Sequence, residues 1–360
     1  MFKRLAYGLS VLSVFLIFTA SVFAEPFAYV TNGISDDVSV IDTATNMVVA
    51  TIPVGDNPQA VAITPDGTRA YVSHQGSDDV FVIDTATNTV IGSPIPVGSS
   101  PQGLAITPDG TRAYVTNVDS HNVSVIDTVT NMVVATIPVG QEPFDVAITP
   151  DGSRAYVTNN DAVTVSVIDT ATNMVVATIP VGANPEGVAV TPDGTRAYVV
   201  NQGPENLFVI NTATNMVVGS PIPVGAEPSD VAITPDGMRA YVSNAFSDDV
   251  SVIDTATKMV VGAPITVGDQ PRGVAITPDG TRVYVANASS DNVSVIDTAT
   301  NMVVATIMVG DVPRDVAITP IIEPPPIADV PTLSEWGLIA MAAILGIVGF
   351  MVMRRRKVTA

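Results

Sequence analysis

Between residues 25 and 320 the apolar positions fall in short runs separated by turn residues, and no stretch keeps a helical period long enough to compete. One segment shows the unit. Leu104 to Thr107, Arg112 to Asn117, Val123 to Ile126 and Met132 to Ile137 predict four strands, a to d. Pro108-Asp109-Gly110 is a hairpin signal between a and b, and Asp127 to Asn131 turns c into d. Alternation is only partial, which suits strands covered on both faces by neighbouring sheets.

The unit recurs. A Tyr-Val-x-Asn element starts at Tyr29, Tyr71, Tyr114, Tyr156, Tyr198, Tyr241 and Tyr284, at spacings of 42 or 43. Ile-Asp-Thr-x-Thr, with Asn211 for Asp in the fifth copy, and Val-Ala-Ile-Thr-Pro or a close variant recur in step with it. Four-stranded units of this length repeated radially predict an all-β, seven-bladed β-propeller with four antiparallel strands per blade. An open solenoid would need capping repeats, and neither end supplies one. The first unit begins at strand b, Phe27 to Asn32, and the last ends in an extra strand a, Asp315 to Thr319. The two chain ends are therefore expected to complete one blade and close the ring, which removes two exposed edges. The 43-residue spacings come from Gly92-Ser93-Pro94, Gly219-Ser220-Pro221 and Gly262-Ala263-Pro264, which insert one residue into the outermost strand, where Pro and bulges are tolerated.

The Tyr-Val-Thr-Asn copies at Tyr29, Tyr114 and Tyr156 resemble those of the YVTN repeat β-propellers of bacteria and archaea, over the whole of 25–320. The resemblance implies seven blades, in agreement with the count of elements.

The termini read as addresses. Residues 1–24 have Lys3 and Arg4, then an apolar run from Leu9 to Ala20, and predict a signal peptide cut between Ala24 and Glu25. A Pro-rich linker, 321–331, leads to Val330 and Pro331-Thr332-Leu333-Ser334-Glu335-Trp336-Gly337. The uncharged stretch 337–353 predicts one C-terminal transmembrane helix, with the basic tail 354–357 on the cytoplasmic side. Motif, helix and tail (330–357) resemble sorting signals of the IPTL-CTERM type, related to the PEP-CTERM group. The resemblance implies an exosortase-like sorting enzyme as partner, with export to the cell exterior or retention in the membrane.

Charge and composition narrow the chemistry. Lys+Arg total 15 against Asp+Glu 35, a net charge of -20, which excludes the basic footprint that nucleic acid requires. With 0 Cys and 2 His, thiolate chemistry, thiolate metal sites and His-rich copper sites are out of reach. The only Trp, Trp336, lies in the tail, so the tryptophan docking motifs of quinoprotein dehydrogenases are missing. No cofactor and no metal are expected.

Strand a is innermost, so the d–a connections should line the channel mouth. The two residues after their Pro are the most varied positions of a near-copied repeat, which is where a ligand site would be built. They give the candidates Gln59, Gln102, Phe144, Asp145, Glu186, Asp230, Arg272, Arg314 and Asp315. Arg272 and Arg314 suit a carboxylate or sulfate; the plainer reading is that they pair with Asp315 and Glu186 or are simply solvated. The b–c loops are often acidic, as at Asp36-Asp37 and Asp78-Asp79, but no calcium-loop pattern occurs and a solvated face is the simpler reading. His74 and His121 lie on adjacent blades without a third ligand and read as surface placements; no catalytic residue is assigned. The sequence favours an exported, non-catalytic binding or structural module for polysaccharide, matrix or surface proteins. The alternative is an enzyme of lactonase-like or quinoprotein-like type, which would need an asymmetric cluster that near-identical blades do not advertise.

Overall fold

The computed structural model describes residues 26–321. The signal peptide with Ala24 and Glu25, the linker, the C-terminal helix and the sorting motif Pro331 to Gly337 lie outside the described residues. Among those described, no helix is long and apolar enough to cross a membrane.

The chain forms seven antiparallel sheets. Blade 1 is built from both ends: inner strand Pro313–Ile318, then Phe27–Asn32, Asp37–Asp42 and Met47–Pro53. Blades 2 to 7 follow in order, with inner strands Pro58–Ile63, Pro101–Ile106, Pro143–Ile148, Pro185–Val190, Pro228–Ile233 and Pro271–Ile276. Each inner strand packs against those on either side, and Pro313–Ile318 packs against both Pro271–Ile276 and Pro58–Ile63, so the ring is closed.

The period-2 pattern sends side chains of every sheet to two different cores. Tyr29, Val38, Val40 and Ile52 of blade 1 meet Val61, Ala70, Val72 and Ile83 of blade 2. Ala28, Val30, Ile41 and Val316 face the other way, onto Tyr284, Val293, Val295 and Ile307 of blade 7. Such clusters fill the spaces between blades all round. Burying Val or Ile contributes roughly 1.5–3 kcal/mol per side chain, so the stability lies in the blade-to-blade contacts.

The seven repeat tyrosines are fully buried. Six donate their hydroxyl to the Asn of the next blade's c–d turn, from Tyr29 to Asn88 at 2.6 Å round to Tyr284 to Asn46 at 2.9 Å. Tyr198 meets Lys258 where the others meet Asn, and donates to the Thr255 carbonyl at 3.3 Å. Tyr284→Phe should cost about 1 kcal/mol through loss of one net hydrogen bond across the closing seam. Urea unfolding with an unchanged m-value checks this, and a variant as stable as the parent would exclude the contact.

Two details differ from the sequence reading. The closing strand runs Pro313–Ile318, not Asp315 to Thr319, and the other inner strands also start at their Pro. The varied pair after each Pro is therefore strand, not loop: the register shifts there, as between Pro143 and Val146, and the resulting bulge re-aims the side chains. The outer-strand insertions behave as expected. Gly92, Gly219 and Gly262 take left-handed backbone angles of 75°, 83° and 73°. Blades 5 and 6 break there, into Met216–Val217 with Ile222–Pro223 and Met259–Val260 with Ile265–Thr266, while Thr89–Pro96 continues with a bulge.

Candidate functional site

The channel mouth has a backbone fixed by the repeat and side chains that differ from blade to blade. The Tyr-Val-Thr-Asn hydroxyl lies between two inner strands. Thr116 accepts from Gly103 N at 2.9 Å and donates to the Phe144 carbonyl at 2.8 Å on the next blade. Thr31, Ser73, Thr158 and Ser243 donate in the same way to the carbonyls of Gln59, Gln102, Glu186 and Arg272. Carbonyls do not depend on the side chain, so this position can vary without disturbing the ring. Blades 5 and 7 carry Val200 and Ala286 here and lack the tie.

The second residue of the pair follows a packing rule. Asp145 uses one carboxylate oxygen to accept from its own Val146 N at 2.7 Å and the other from Val188 N of the next blade at 2.9 Å. Asp230 does the same with Val231 and Val274, and Asp315 with Val316 and Val61. Each leans on the preceding blade where a side chain is missing. A Cβ on Gly103, Gly187 or Gly273 would come within 2.7, 2.7 or 2.6 Å of the Cα of Asp145, Asp230 or Asp315. Glycine is needed here for close approach, not for an unusual φ. Asp and Gly alternate round the ring, and because seven is odd one blade is left over, with Ala60.

These three carboxyls line the cavity at the channel mouth and are otherwise enclosed by protein. Burial pushes Asp145 well above the usual carboxylate range, aided by the charge on Asp230. Burial takes Asp230 up to about 6 and, with the Asp230 charge, Asp315 up to about 7.

The first residues of the pairs make the asymmetry that the repeat conceals. Arg272 of blade 7 and Arg314 of blade 1 are neighbours, with Gln59 and Gln102 on blades 2 and 3 and Phe144 on blade 4; together they line a cavity of about 120 Å³. Neither arginine has a carboxylate at ion-pairing distance: among the described residues the one arginine–carboxylate contact is Arg282–Asp297. The expected alternative, pairing with Glu186 or Asp315, is not what the geometry has. The Nε of each arginine is buried without a hydrogen-bond partner. Burial lowers the Arg314 pKa, and the charge on Arg272 lowers it further. Glu186 is only 6% exposed and is not among the residues lining the cavity, one carboxylate oxygen unpartnered. Burial pushes it up to about 7 against the pull of Arg272 and the Ser229 hydroxyl.

Both histidines turn out to be built in. His74 is not at the surface: it is fully buried in blade 2, its ring 4.6 Å from Phe81. Its Nδ1 is 3.1 Å from Asp79, but burial pushes the imidazole down to about 4, so it is neutral and the contact is no ion pair at pH 7. Gly55 packs on it as Gly98 packs on Asn117, which shows His74 filling the Asn position of the repeat. His121 is exposed and left-handed (φ 52°), at the repeat position of Asp36, Asp78, Asp248 and Asp291. Its Nδ1 accepts from Glu142 N at 3.1 Å, as Asp36 accepts from Asn57 N at 2.8 Å. In five of the seven blades these b–c residues tie the loop to the following d–a connection, an anchoring role that the acidic pattern alone does not reveal; Val163 and Glu205 hold the position without the tie. Among the described residues no three His, Asp or Glu side chains converge to hold a metal ion.

No curated protein sequence matches the chain. Among solved structures, hydrazine synthase from Kuenenia stuttgartiensis superposes with a TM-score of 0.71 at 26% identity, over 80% of this chain and 99% of that one. A functionally unknown protein from Desulfotomaculum acetoxidans superposes with a TM-score of 0.73 at 19% identity, over 82% and 99%. The IPTL-CTERM motif is found at residues 330–356. The seven-bladed β-propeller lactonase family matches residues 16–135 and 211–319, more than half of the chain. The chain belongs to the lactonase family of seven-bladed β-propellers and carries an IPTL-CTERM motif at its C-terminal end.

Proposed function

We propose that the protein is an exported, cell-surface or membrane-attached propeller that acts as a non-catalytic binding module, with the channel mouth as its binding site and a surface or matrix polysaccharide as its partner. One observation carries this reading. In a chain whose blades are near copies, variation concentrates on side chains that converge on one cavity, over a backbone locked by the repeat hydroxyls. That is how a scaffold presents a binding surface. The IPTL-CTERM motif supports the address, through an exosortase-like sorting enzyme acting near Pro331 to Gly337. Cell fractionation combined with glycan binding by the full chain in mild detergent tests both halves. The mature chain should be extracytoplasmic and should retain a glycan that Phe144→Ala releases. A cytoplasmic chain, or binding indifferent to Phe144, would overturn it.

Lactone hydrolysis is a second reading. It is favoured by family membership and by the Glu186 carboxyl, which burial brings to about 7 beside Arg272, in the range a general base uses. Hydrolysis of a sugar lactone that Glu186→Gln abolishes would establish it.

A further inference from the structure

We propose that Arg272 and Arg314 form a two-guanidinium clamp for a single oxyanion group, the carboxylate of an acidic sugar or a phosphate ester, held at the channel mouth with the rest of the ligand against Phe144. The proposal rests on the binding-module reading and names the chemistry of that same site.

The first support is distribution. The propeller has nine Lys and Arg. Six are the arginine that opens strand b, repeated once in each of blades 2 to 7, and Lys258 lies on a c–d turn. Arg272 and Arg314 depart from the repeat together, on adjacent blades, at the same repeat position, facing one cavity. The second support is incompleteness. Two like charges side by side are unfavourable, neither has a carboxylate partner, and both leave a buried Nε without an acceptor. Buried donors are ordinarily satisfied, and guanidinium forks match the two or three oxygens of a carboxylate or phosphate. An oxyanion would supply those acceptors and relieve the repulsion. The third is shape: a cavity of about 120 Å³ with an aromatic ring at Phe144, across from the arginines, suits a compact ring compound with one charged end.

The neighbouring acids set how binding responds to pH. Glu186 interacts with Arg272 and has Glu227 near it, and Asp145, Asp230 and Asp315 line the same cavity as the clamp. Ionised, they oppose an incoming anion. Affinity should therefore rise as pH falls from 8 to 6.

Calorimetry on the full chain in mild detergent, with galacturonic acid, glucose 6-phosphate, inorganic phosphate and glucose as probes, tests this. At least one anion should bind while glucose does not, and galacturonic acid, whose charge is constant over this range, should bind more tightly at pH 6 than at pH 8 if the carboxylated sugar is the ligand. Arg272→Gln and Arg314→Gln should each lose roughly tenfold or more while melting like the parent. Galacturonic acid in preference to both phosphates identifies a carboxylated sugar, and glucose 6-phosphate in preference identifies a phosphate ester. Binding of all three anions that the arginine variants lose supports the clamp alone. If the variants bind as the parent does, or only neutral glycans bind, the clamp is wrong and the binding-module reading stands. If nothing binds, both fail.

Discussion

A chain that ends at Val312 should not form the ring, whereas one that ends at Ile321 should melt like the full chain. The difference is the inner strand of blade 1. Val316 pairs with Val30, Ala317 with Tyr29 and Ile318 with Ala28, so its removal strips one edge of Phe27–Asn32 of its partners. Val316 and Ile318 pack into the blade 7–blade 1 core, and Ala317 into the blade 1–blade 2 core, so two interfaces open together. Asp315 is lost as well, and with it the carboxylate that joins blade 1 to Val61 of blade 2. Lost burial of these side chains amounts to several kcal/mol at roughly 1.5–3 kcal/mol each, comparable to the whole net stability of a domain, about 5–15 kcal/mol. The bared edge then invites strand pairing between molecules. Thermal melting and size-exclusion chromatography should show the shorter chain unfolded or associated. Equal melting temperatures would mean that the ring does not depend on its closing strand.

The second large effect is that stability should fall as pH rises from 6.5 to 8, the reverse of what carboxylates usually produce. Asp145, Asp230, Asp315 and Glu186 all have pKa values above the unfolded range because burial disfavours their charge. Such groups bind protons better in the folded state. Their contribution is complete below about pH 4 and is lost as pH rises through folded values of about 6 for Asp230 and about 7 for Asp315 and Glu186. His74 works the other way: its folded value of about 4 gives stability that is present above pH 6.5 and lost on acidification, so it offsets the carboxyls only below 6.5. The turn aspartates, such as Asp66 and Asp109, are held below the usual range by hydrogen bonds from Thr64 and Thr107, and they protect the fold until pH drops past about 4. Discounted for solvent screening at the open mouth of the cavity, a combined loss of about 1–2 kcal/mol between pH 6.5 and 8 is expected. That is roughly 2–3 °C in Tm for a propeller of this size. Asp315→Asn should lower Tm throughout, because its amide nitrogen would face a backbone N–H, and should also reduce the slope. A Tm that is flat or rising over this range would contradict the burial argument.

The repeat elements, the hairpin at Pro108-Asp109-Gly110, the outer-strand insertions and the completion of blade 1 by the C-terminal strand were all legible in the sequence. So was the opposite facing of Ala317 to Val316 and Ile318. These follow from interactions within a few residues: a period of two sets the faces, Gly and Asp set the turns, and the phase of the repeat sets what the two ends must share. The mouth was legible as a place, since its residues vary where all else is copied. Its internal logic was not. Whether Arg272 and Arg314 had carboxylate partners, why Asp alternates with Gly, and that His74 fills an Asn niche while His121 caps a loop depend on what the neighbouring blade presents across the seam. Those contacts join residues from about 20 to more than 250 positions apart, as from Gly55 to His74 and from Asp315 to Val61. Only a closed ring brings them together, and only an odd-numbered ring leaves Ala60 outside the alternation.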